Sequence, residues 1–391
     1  MSTTTISGMA WDHRRCWGPL DADVDRARAE DGLEIRWDRR SLYSFGEGDL
    51  RPFVDRHDLV IFDHPFVGDI ARDGLMLDLA DFLTPADMTV FRQLNVGASF
   101  RSYEFEGGVY GLPIDSAATT SAWRADLMEA GGFEVPVTLE DVIALGRNAR
   151  ARDKWIAWAA KPTDLMCAYI AMIASWGVDV GRMAGPFVPR DMSEAAIARI
   201  MELREVIHPD SFVWNPIQLF DHMTSQDDVL FTPYAFNYIT YATCGSRALT
   251  FGPPPRLSDR IRPRGLLGGA GIGISARSAN PEAAFRYAMT LVSPAFQAGP
   301  YVANGGQPGM RSAWVSRECD AATNGFFSNC LQAMDDAYLR PTLPGFVGFF
   351  HEATLRLAAV VNEGASHAAF FDWQTDTYDA LRAGRRSAAA E

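Results

Sequence analysis

Residues 108–147 constrain the fold of this chain more than any other segment, because three local structures follow one another within it. The segment reads GVYGLPIDSAATTSAWRADLMEAGGFEVPVTLEDVIALGR. Its apolar start predicts a strand, and Asp115 with small hydroxyl residues follows. A Gly-Gly turn then leads to Thr138 and two acidic residues, which predict the start of a helix. The small residues in between predict a segment that crosses from one structural unit to another.

Length and charge limit the classes of protein that fit. A chain of 391 residues exceeds what one hydrophobic core usually serves, so we expect two lobes or domains. The 36 Lys and Arg stand against 49 Asp and Glu, which gives a net charge of −13. This charge repels phosphate backbones and anionic lipid, so we expect no nucleic-acid partner. No apolar run approaches the roughly 20 residues that span a bilayer, so we expect no membrane insertion.

The cysteines and the first residues bear on the compartment. Five cysteines are spread along the chain without a Cys-x-x-Cys pair or a zinc-type spacing with histidine, so neither a disulfide framework nor a metal site is predicted. The start, MSTTTISGMAWDHRRCW, has neither the basic nor the apolar part of a secretory signal. We therefore expect a cytoplasmic protein. A periplasmic protein is the alternative, if a signal has been removed.

Strand and helix patterns alternate in the first part of the chain. Periodicity predicts strands at 3–10, 33–38 and 59–62, with helices at 21–30 and 67–73. This alternation predicts a mostly parallel sheet with right-handed crossovers. Ligands of such sheets bind outside the carboxyl ends of the strands, so the loops that follow the strands are the places to search for a site.

The second part of the chain is richer in helix patterns. Helices are predicted at 139–150, 164–176 and 193–206, the last with an N-cap at Asp191 to Ser193. The glycine-rich segment 265–275 predicts a returning strand. Its Gly-x-Gly spacing resembles part of a dinucleotide fingerprint, but a turn follows instead of a helix, so no cofactor is predicted.

Short motifs along nearly the whole chain carry a family resemblance. In order they are Leu77-Asp-Leu-Ala-Asp81, Gly111-Leu-Pro113, Trp123-Arg124, Gly268-Gly269 before Ile272-Gly-Ile-Ser275, Asn280-Pro-Glu-Ala-Ala284, Leu291-Val-Ser-Pro294, Gly309-Met-Arg-Ser312 and Arg340-Pro-Thr-Leu-Pro344. In this order they resemble the extracellular solute-binding proteins of bacterial ABC importers, of the maltose- and oligosaccharide-binding type.

The resemblance implies an α/β, two-lobed fold of the type II periplasmic-binding-protein kind, with a ligand cleft and a hinge between the lobes. It implies that residues 1–115 and 266–304 form an N-terminal lobe, and that 116–265 and 305–391 form a more helical C-terminal lobe. It also implies a small-molecule ligand and an ABC-importer membrane subunit as partners. We expect the protein to be a monomer.

Candidate ligand contacts follow the predicted strands or lie on the expected crossings. The cluster Trp11-Asp12-His13-Arg14 follows the first strand, where arginine can hold a carboxylate through two hydrogen bonds and tryptophan can stack on a ring. Carboxylated, aromatic and sugar ligands are therefore all candidates. The complete set of predicted contacts is Trp11, Asp12, His13, Arg14, Tyr43, Asp63, His64, Asp115, Trp176, Tyr234, Phe236, Asn237, Gly268 and Gly269.

Several of these residues could also have purely structural roles that involve no ligand. Asp12 can pair with a neighbouring arginine at the surface, and Asp63 can cap the helix after it. Asp115 can simply hold backbone amides of the crossing segment, and the aromatic residues after 232 can be ordinary packing.

Two other functions remain open beside solute binding. An enzyme on the same fold could act on a small anionic substrate, with His13 or His64 as the acid–base group and Asp12 or Asp63 to orient it. No nucleophile elbow, phosphate loop or zinc helix supports a reaction class, so binding is favoured over catalysis. The third hypothesis is a ligand sensor.

Overall fold

The computed structural model describes residues 4–46 and 48–384. The strands in this part of the chain are β1 Thr4–Trp11, β2 Leu33–Arg40, β3 Leu59–Phe62, β4 Glu104–Phe105, β5 Gly108–Val109, β6 Leu112–Trp123, β7 Trp155–Ile156, β8 Val229–Phe236, β9 Thr250–Gly252 and β10 Leu267–Ile274. The α-helices are α1 Arg14–Arg26, α2 Leu42–Gly46, α3 Arg51–Val54, α4 Val67–Asp73, α5 Pro85–Leu94, α6 Ala125–Gly131, α7 Leu139–Arg150, α8 Pro162–Ser175, α9 Arg190–Arg204, α10 Pro216–Ser225, α11 Ile239–Ala242, α12 Pro281–Leu291, α13 Pro294–Phe296, α14 Arg311–Trp314, α15 Arg317–Ala322, α16 Phe326–Asp336, α17 Phe346–Glu363 and α18 His367–Arg382. Short 3₁₀ segments cover His64–Phe66, Leu79–Asp81, Arg101–Tyr103 and Pro209–Phe212, and π segments cover Ala27–Asp31 and Gln297–Tyr301.

The main sheet of the described chain has eight strands, in the order β2-β1-β3-β10-β6-β8-β7 with β9 beside β6. Strand β1 pairs in parallel with β2 and β3, but β10 runs antiparallel to both β3 and β6. The prediction of a mostly parallel sheet is therefore wrong for the centre of the sheet. The reason is that β10 returns from the second half of the chain and enters between β3 and β6 in the opposite direction.

Strand β6 joins the two parts of this sheet. Its residues up to Ala118 pair with β10, and its residues from Thr119 onward pair with β8 and β9. Separate apolar clusters lie on the two sides. Ile61 and Ile272 belong to one cluster, and Phe231 belongs to another. The protein is thus an α/β protein with two lobes. The lobes share the buried strand β6, which lies within residues 108–147.

Helix α1 begins at Arg14, not at residue 21 as the periodicity predicts. The His13 ring accepts a hydrogen bond from the Arg15 backbone amide at 3.1 Å and so caps the helix. Because the helix begins this early, Arg15 and Cys16 are turned into the protein, whereas Arg14 is exposed.

Helix α9 also begins earlier than predicted. Its N-cap residue is Pro189, and Ser193 lies inside the helix. The Ser193 hydroxyl contacts the Tyr169 hydroxyl at 2.7 Å and the His367 ring at 3.0 Å, so it joins three helices and does not cap one. By contrast, α7 has its predicted bounds, because Thr138 and Asp141 form a capping box.

The long helices near the C-terminal end complete the second lobe. Helix α17 packs on α8 and α18, and its Phe346 and Leu357 are fully buried in the cluster that contains Phe231. Across residues 4–46 and 48–384, no helix is both long and apolar enough to span a membrane.

Candidate ligand-binding cleft

A cavity of about 170 Å³ lies where the two lobes face each other. Its walls come from the ends of β1, β3 and β8, from α2 and β6, from the starts of α1, α8, α10 and β10, and from the chain around the start of α17. The lining residues are Trp11, Arg15, Leu42, Phe45, Gly46, Asp63, Ala117, Lys161, Thr163, Asp164, Cys167, Asn215, Pro216, Phe236, Tyr238, Gly268, Gly269, Arg340 and Phe350.

Arg15 ties three segments together at this cavity. Its guanidinium donates to the two oxygens of Asp115 at 2.9 and 2.7 Å, and to the carbonyl oxygen of Asn237 at 2.8 Å. It also lies over the Tyr238 ring, 4.1 Å from the centroid. Burial is the largest single influence and lowers the pKa of Arg15, but the charge of Asp115, its hydrogen bond and the nearby Tyr238 and Tyr301 together outweigh burial and raise that pKa. The pair is therefore a buried ion pair at the crossing between the lobes.

Asp63 and Arg340 form a second ion pair in the cavity wall. An Arg340 nitrogen donates to Asp63 Oδ2 at 3.0 Å. The backbone amide of His64 donates to Asp63 Oδ1 at 2.8 Å, and the His64 ring Nδ1 is 3.1 Å from the same oxygen. Burial would raise the pKa of Asp63, but the charge of Arg340 and the contacts with His64 lower it to about 2. Asp63 is thus a carboxylate at any ordinary pH.

Aromatic side chains form much of the remaining wall. The rings of Trp11 and Phe45 lie 4.9 Å apart at a tilt of 33°. The half-buried Phe236 lies against the strand β10 backbone, so close that a Cβ on Gly268 would be 2.7 Å from its ring. Phe350 lies under the Arg340 guanidinium at 5.4 Å. Aromatic faces beside a few placed polar groups are typical of small-molecule sites.

Gly269 has a backbone that other residues rarely adopt. Its φ is +117°, and a Cβ at this position would lie 2.4 Å from the Asp115 carbonyl oxygen. The register of β10 against β6 shifts just after it, between Ala270 and Gly271. Gly269 therefore lets β10 approach the crossing strand closely at the edge of the cavity.

Helices α8 and α10 also begin at the cavity. Lys161, Thr163 and Asp164 stand at the start of α8. Asn215 precedes α10, and its side chain accepts from the Gln218 amide in a capping box. These starts add polar groups to the ion pairs and aromatic rings of the wall.

The structure brings some of the predicted contacts to the cavity and leaves others outside it. Trp11, Asp63, Phe236, Gly268 and Gly269 line it. His64, Asp115 and Asn237 are buried directly behind lining residues, through the hydrogen bonds to Asp63 and Arg15. As ligand contacts, all of these remain predictions.

The other predicted residues lie away from the cavity lining. Asp12 and Arg14 are exposed, and the His13 ring caps α1. Tyr234 is buried against Trp158, with ring centroids 5.9 Å apart. Trp176 lines a different groove, beside Arg260 and Arg264. The backbone of Tyr43 lies in α2, but its side chain is outside the described part of the structure.

Several lining residues were missed by sequence reasoning. The main ones are Arg15, Lys161, Asp164, Asn215, Arg340 and Phe350. Two signals could have pointed to some of them. The sequence Asn215-Pro216 is a strong helix start, and helix starts at a cleft present polar groups. Arg340 stands in one of the motifs that carry the family resemblance, although no role was assigned to it.

Two lobes that share a sheet, with a cavity lined from both, define a ligand-binding protein of the two-lobed periplasmic kind. A family sequence model described as bacterial extracellular solute-binding protein matches residues 44–298, more than half of the chain. The chain therefore belongs to the bacterial extracellular solute-binding protein family, whose members are the solute-binding components of ABC importers. No curated protein matches the chain significantly.

Solved structures share the whole fold at low sequence identity. Maltose-bound MalE3 of T. maritima is 17% identical, with a TM-score of 0.83 over 97% of this chain and 100% of that one. A ribitol-bound ABC-transporter solute-binding protein of Agrobacterium radiobacter K84 is 15% identical, with a TM-score of 0.80 over 97% and 98% of the two chains. The GacH receptor of Streptomyces glaucescens, solved unliganded and with acarbose, is 15% identical with a TM-score of 0.80 over 99% and 100%. At these identities the likeness concerns the fold.

Proposed function

We propose that this solute-binding protein takes a neutral, polyhydroxylated ligand, a sugar or a polyol, in the cavity between its lobes. The observation that carries the proposal is that both arginines of the cavity wall are already paired with carboxylates. Arg15 is bound to Asp115 at 2.7 Å and Arg340 to Asp63 at 3.0 Å. An arginine that is paired in this way has fewer donors left for a carboxylate of a ligand.

The charges around the cavity support the same ligand class. The cations Arg15, Lys161 and Arg340 are balanced by the carboxylates of Asp63, Asp115 and Asp164. A balanced site has no net attraction for an anion or a cation. Hydroxyl groups, in contrast, can both donate to the carboxylates and accept from the cations, while the apolar faces of the ligand lie on the aromatic walls.

The ligands of the similar structures agree with this proposal. Their descriptions name maltose, ribitol and, for a protein from Thermotoga lettingae, α-D-tagatose, and all three are neutral polyhydroxylated molecules.

Family membership also supports a transport role on the outside of the cell. The family is described as extracellular, which favours the periplasmic alternative of the sequence analysis over a cytoplasmic location. Under this proposal, a monomer closes on its ligand and delivers it to the membrane subunits of an ABC importer.

The lobe boundaries are part of the same proposal. Residues 1–115 with 266–304 would form one lobe, and 116–265 with 305–391 the other. Two of the apolar clusters support this division, because Ile61 and Ile272 share one cluster while Phe231 and Phe349 share another. A third cluster lies at the crossing and contains residues of both lobes, such as Val96 and Phe220.

A ligand screen tests the proposal. Maltose, ribitol and tagatose should raise the melting temperature, because a ligand that binds only the folded state stabilises it by mass action. Citrate, glucuronate and benzoate should have little effect. A rise with the acids alone would contradict the proposal, and isothermal titration calorimetry on any hit gives the dissociation constant.

A matched pair of variants locates the ligand. Phe236→Ala should weaken binding about tenfold, because loss of an aromatic contact costs about 1–2 kcal/mol. Phe133 is also half-buried but lies outside the cavity, so Phe133→Ala should leave the dissociation constant unchanged. Equal effects of the two substitutions would place the ligand elsewhere.

A further inference from the structure

One end of the cleft is bridged by direct contacts between the chain after β3 and the chain before α17. The ion pair between Asp63 and Arg340 is the part of this bridge that faces the cavity. The side chains on the two sides are only 15% and 6% exposed. The pair is therefore part of the wall and not a surface contact.

Backbone contacts continue the bridge beside the ion pair. The Asp69 carboxylate accepts a hydrogen bond from the Gly345 amide at 2.7 Å. A Cβ on Gly68 would lie 2.0 Å from the Thr342 carbonyl oxygen, so the two chains touch without room for a side chain. The lobes are thus in van der Waals contact at this end.

The two sides of the bridge belong to different packing clusters. Phe62, next to Asp63, packs with Met9 and Ile70. Phe346, which follows the Arg340 segment, packs in the cluster around Tyr169. Val347, which follows Phe346, also packs against the Phe62 cluster, so the two sides are in apolar contact beside the ion pair.

Each partner of the ion pair is fixed by its own side of the cleft. Asp63 Oδ1 is used by His64, which leaves Oδ2 free to accept from Arg340. On the other side, Arg182 donates to the carbonyl oxygens of Leu339 at 2.6 Å and Arg340 at 3.0 Å. These bonds hold the Arg340 backbone, and the Arg340 guanidinium lies 5.4 Å from the centroid of the Phe350 ring on the same side of the cleft, which favours the closed contact.

We propose that the Asp63–Arg340 ion pair is a latch that keeps this end of the cleft closed without ligand and thereby limits the length of ligand that the cleft accepts. The limit on ligand length rests on the proposed sugar or polyol function, whereas the closure itself does not. The cavity of about 170 Å³ is smaller than the roughly 300–1,000 Å³ of sites for drug-sized molecules. A short ligand fits this space. A longer oligosaccharide fits only if the end of the cleft bridged by Asp63 and Arg340 opens.

The first test measures closure in the absence of ligand. Spin labels at Val90→Cys on α5 and Leu355→Cys on α17 occupy exposed positions on the two sides, in a Cys244→Ser background that removes an exposed thiol. Replacing both Asp63 and Arg340 with alanine should lengthen the label distance, measured by double electron–electron resonance, by about 2 Å or more. Removing both partners avoids a single unpaired buried charge, which would unfold the protein more readily.

Two further variants control this measurement. The pair Asp63→Asn with Arg340→Gln removes both charges but keeps polar side chains at both positions. It should also lengthen the distance, and it replaces the alanine variant if that variant does not fold. The ion pair Arg190–Asp372 joins α9 and α18 outside the cavity at 2.6 Å. Replacing both of its residues with alanine should leave the distance unchanged. An unchanged distance in a folded variant of the Asp63–Arg340 pair overturns the latch.

The second test measures ligand length by calorimetry with maltose, maltotriose and maltohexaose. The wild type should prefer the shortest of these, and the alanine variant should gain about tenfold or more in affinity for maltohexaose relative to maltose. An unchanged preference in a variant that still binds maltose overturns the length limit. If none of these three sugars binds to either protein, the length limit fails, whereas the screen with ribitol and tagatose decides the proposed function and the distance measurement decides whether the latch exists.

Discussion

The buried pair of Arg15 and Asp115 allows the sharpest test of how the crossing between the lobes is stabilised. Replacing Arg15 with methionine keeps a long apolar stem but removes the hydrogen bonds of 2.9 and 2.7 Å to the carboxylate. Asp115 is only 1% exposed, so water cannot replace those donors unless the surrounding structure rearranges. Breaking one partner of such a buried pair costs about 3–5 kcal/mol of unfolding free energy.

This cost translates into a measurable change in melting temperature. About 2.1 cal/mol/K per residue over 391 residues gives an unfolding entropy of about 0.8 kcal/mol/K. A loss of about 3–5 kcal/mol should therefore lower the Tm by about 4–6 °C. Differential scanning calorimetry without ligand measures the change, so any effect of Arg15 on ligand binding does not enter.

Arg14 provides the matched control, because it precedes Arg15 in the same helix but is exposed. Arg14→Met should change the unfolding free energy by less than about 0.5 kcal/mol. The double variant Arg15→Met with Asp115→Asn should be less destabilised than the sum of its single variants, since neither charge is left buried alone. A fall of less than 1 °C for Arg15→Met, or single effects that simply add, would refute the assignment of a buried, coupled ion pair.

Two further predictions concern pH and backbone geometry. Burial and the charge of Arg15 lower the pKa of His13 to about 4, and burial also lowers the pKa of His64. Below about pH 6.5 the unfolded chain therefore takes up protons that the folded chain does not, so the Tm should fall as the pH falls toward 4. His13→Asn keeps a capping acceptor and should reduce this fall in calorimetry, and an unchanged slope would contradict the assignment. Gly269→Ala should cost about 2 kcal/mol or more in thermal unfolding, because of its φ of +117° and the contact with Asp115. Gly299, where a Cβ meets open space, is the control, and Gly299→Ala should be nearly neutral. Equal costs would show that the backbone at Gly269 is not strained by a side chain.

Local signals explain why parts of the fold could be predicted. The bounds of α7 follow from the capping box of Thr138 and Asp141, which lie three residues apart in the chain. Strand β3 is a short apolar run that is followed directly by Asp63, and both of its ends could be predicted from the sequence. The start of α1 was missed because its cap is a histidine, which is not among the residues that usually mark a helix start.

The same reasoning explains which residues of the candidate site could be predicted from the sequence. Trp11, Asp63 and Phe236 lie at or directly after strand ends, and the ends of neighbouring strands meet at one edge of a sheet. Arg15 was missed because successive residues of a helix point about 100° apart, so the helix start decides which of two adjacent arginines faces the cavity. Arg340 lies 277 residues from its partner Asp63, and no local pattern joins them.

The sequence predicts an α/β protein with two lobes, a crossing between them within residues 108–147 and, through the resemblance of its ordered motifs, the solute-binding protein family. These predictions depend on periodicity, caps and short motifs, which can be read along the chain. The folded chain adds that β10 enters the sheet antiparallel, that Arg15 and not Arg14 faces the cleft, and that Asp63 meets Arg340 across it. Those contacts join residues far apart in the chain, and their energies depend on burial and on distances that exist only after the lobes have packed.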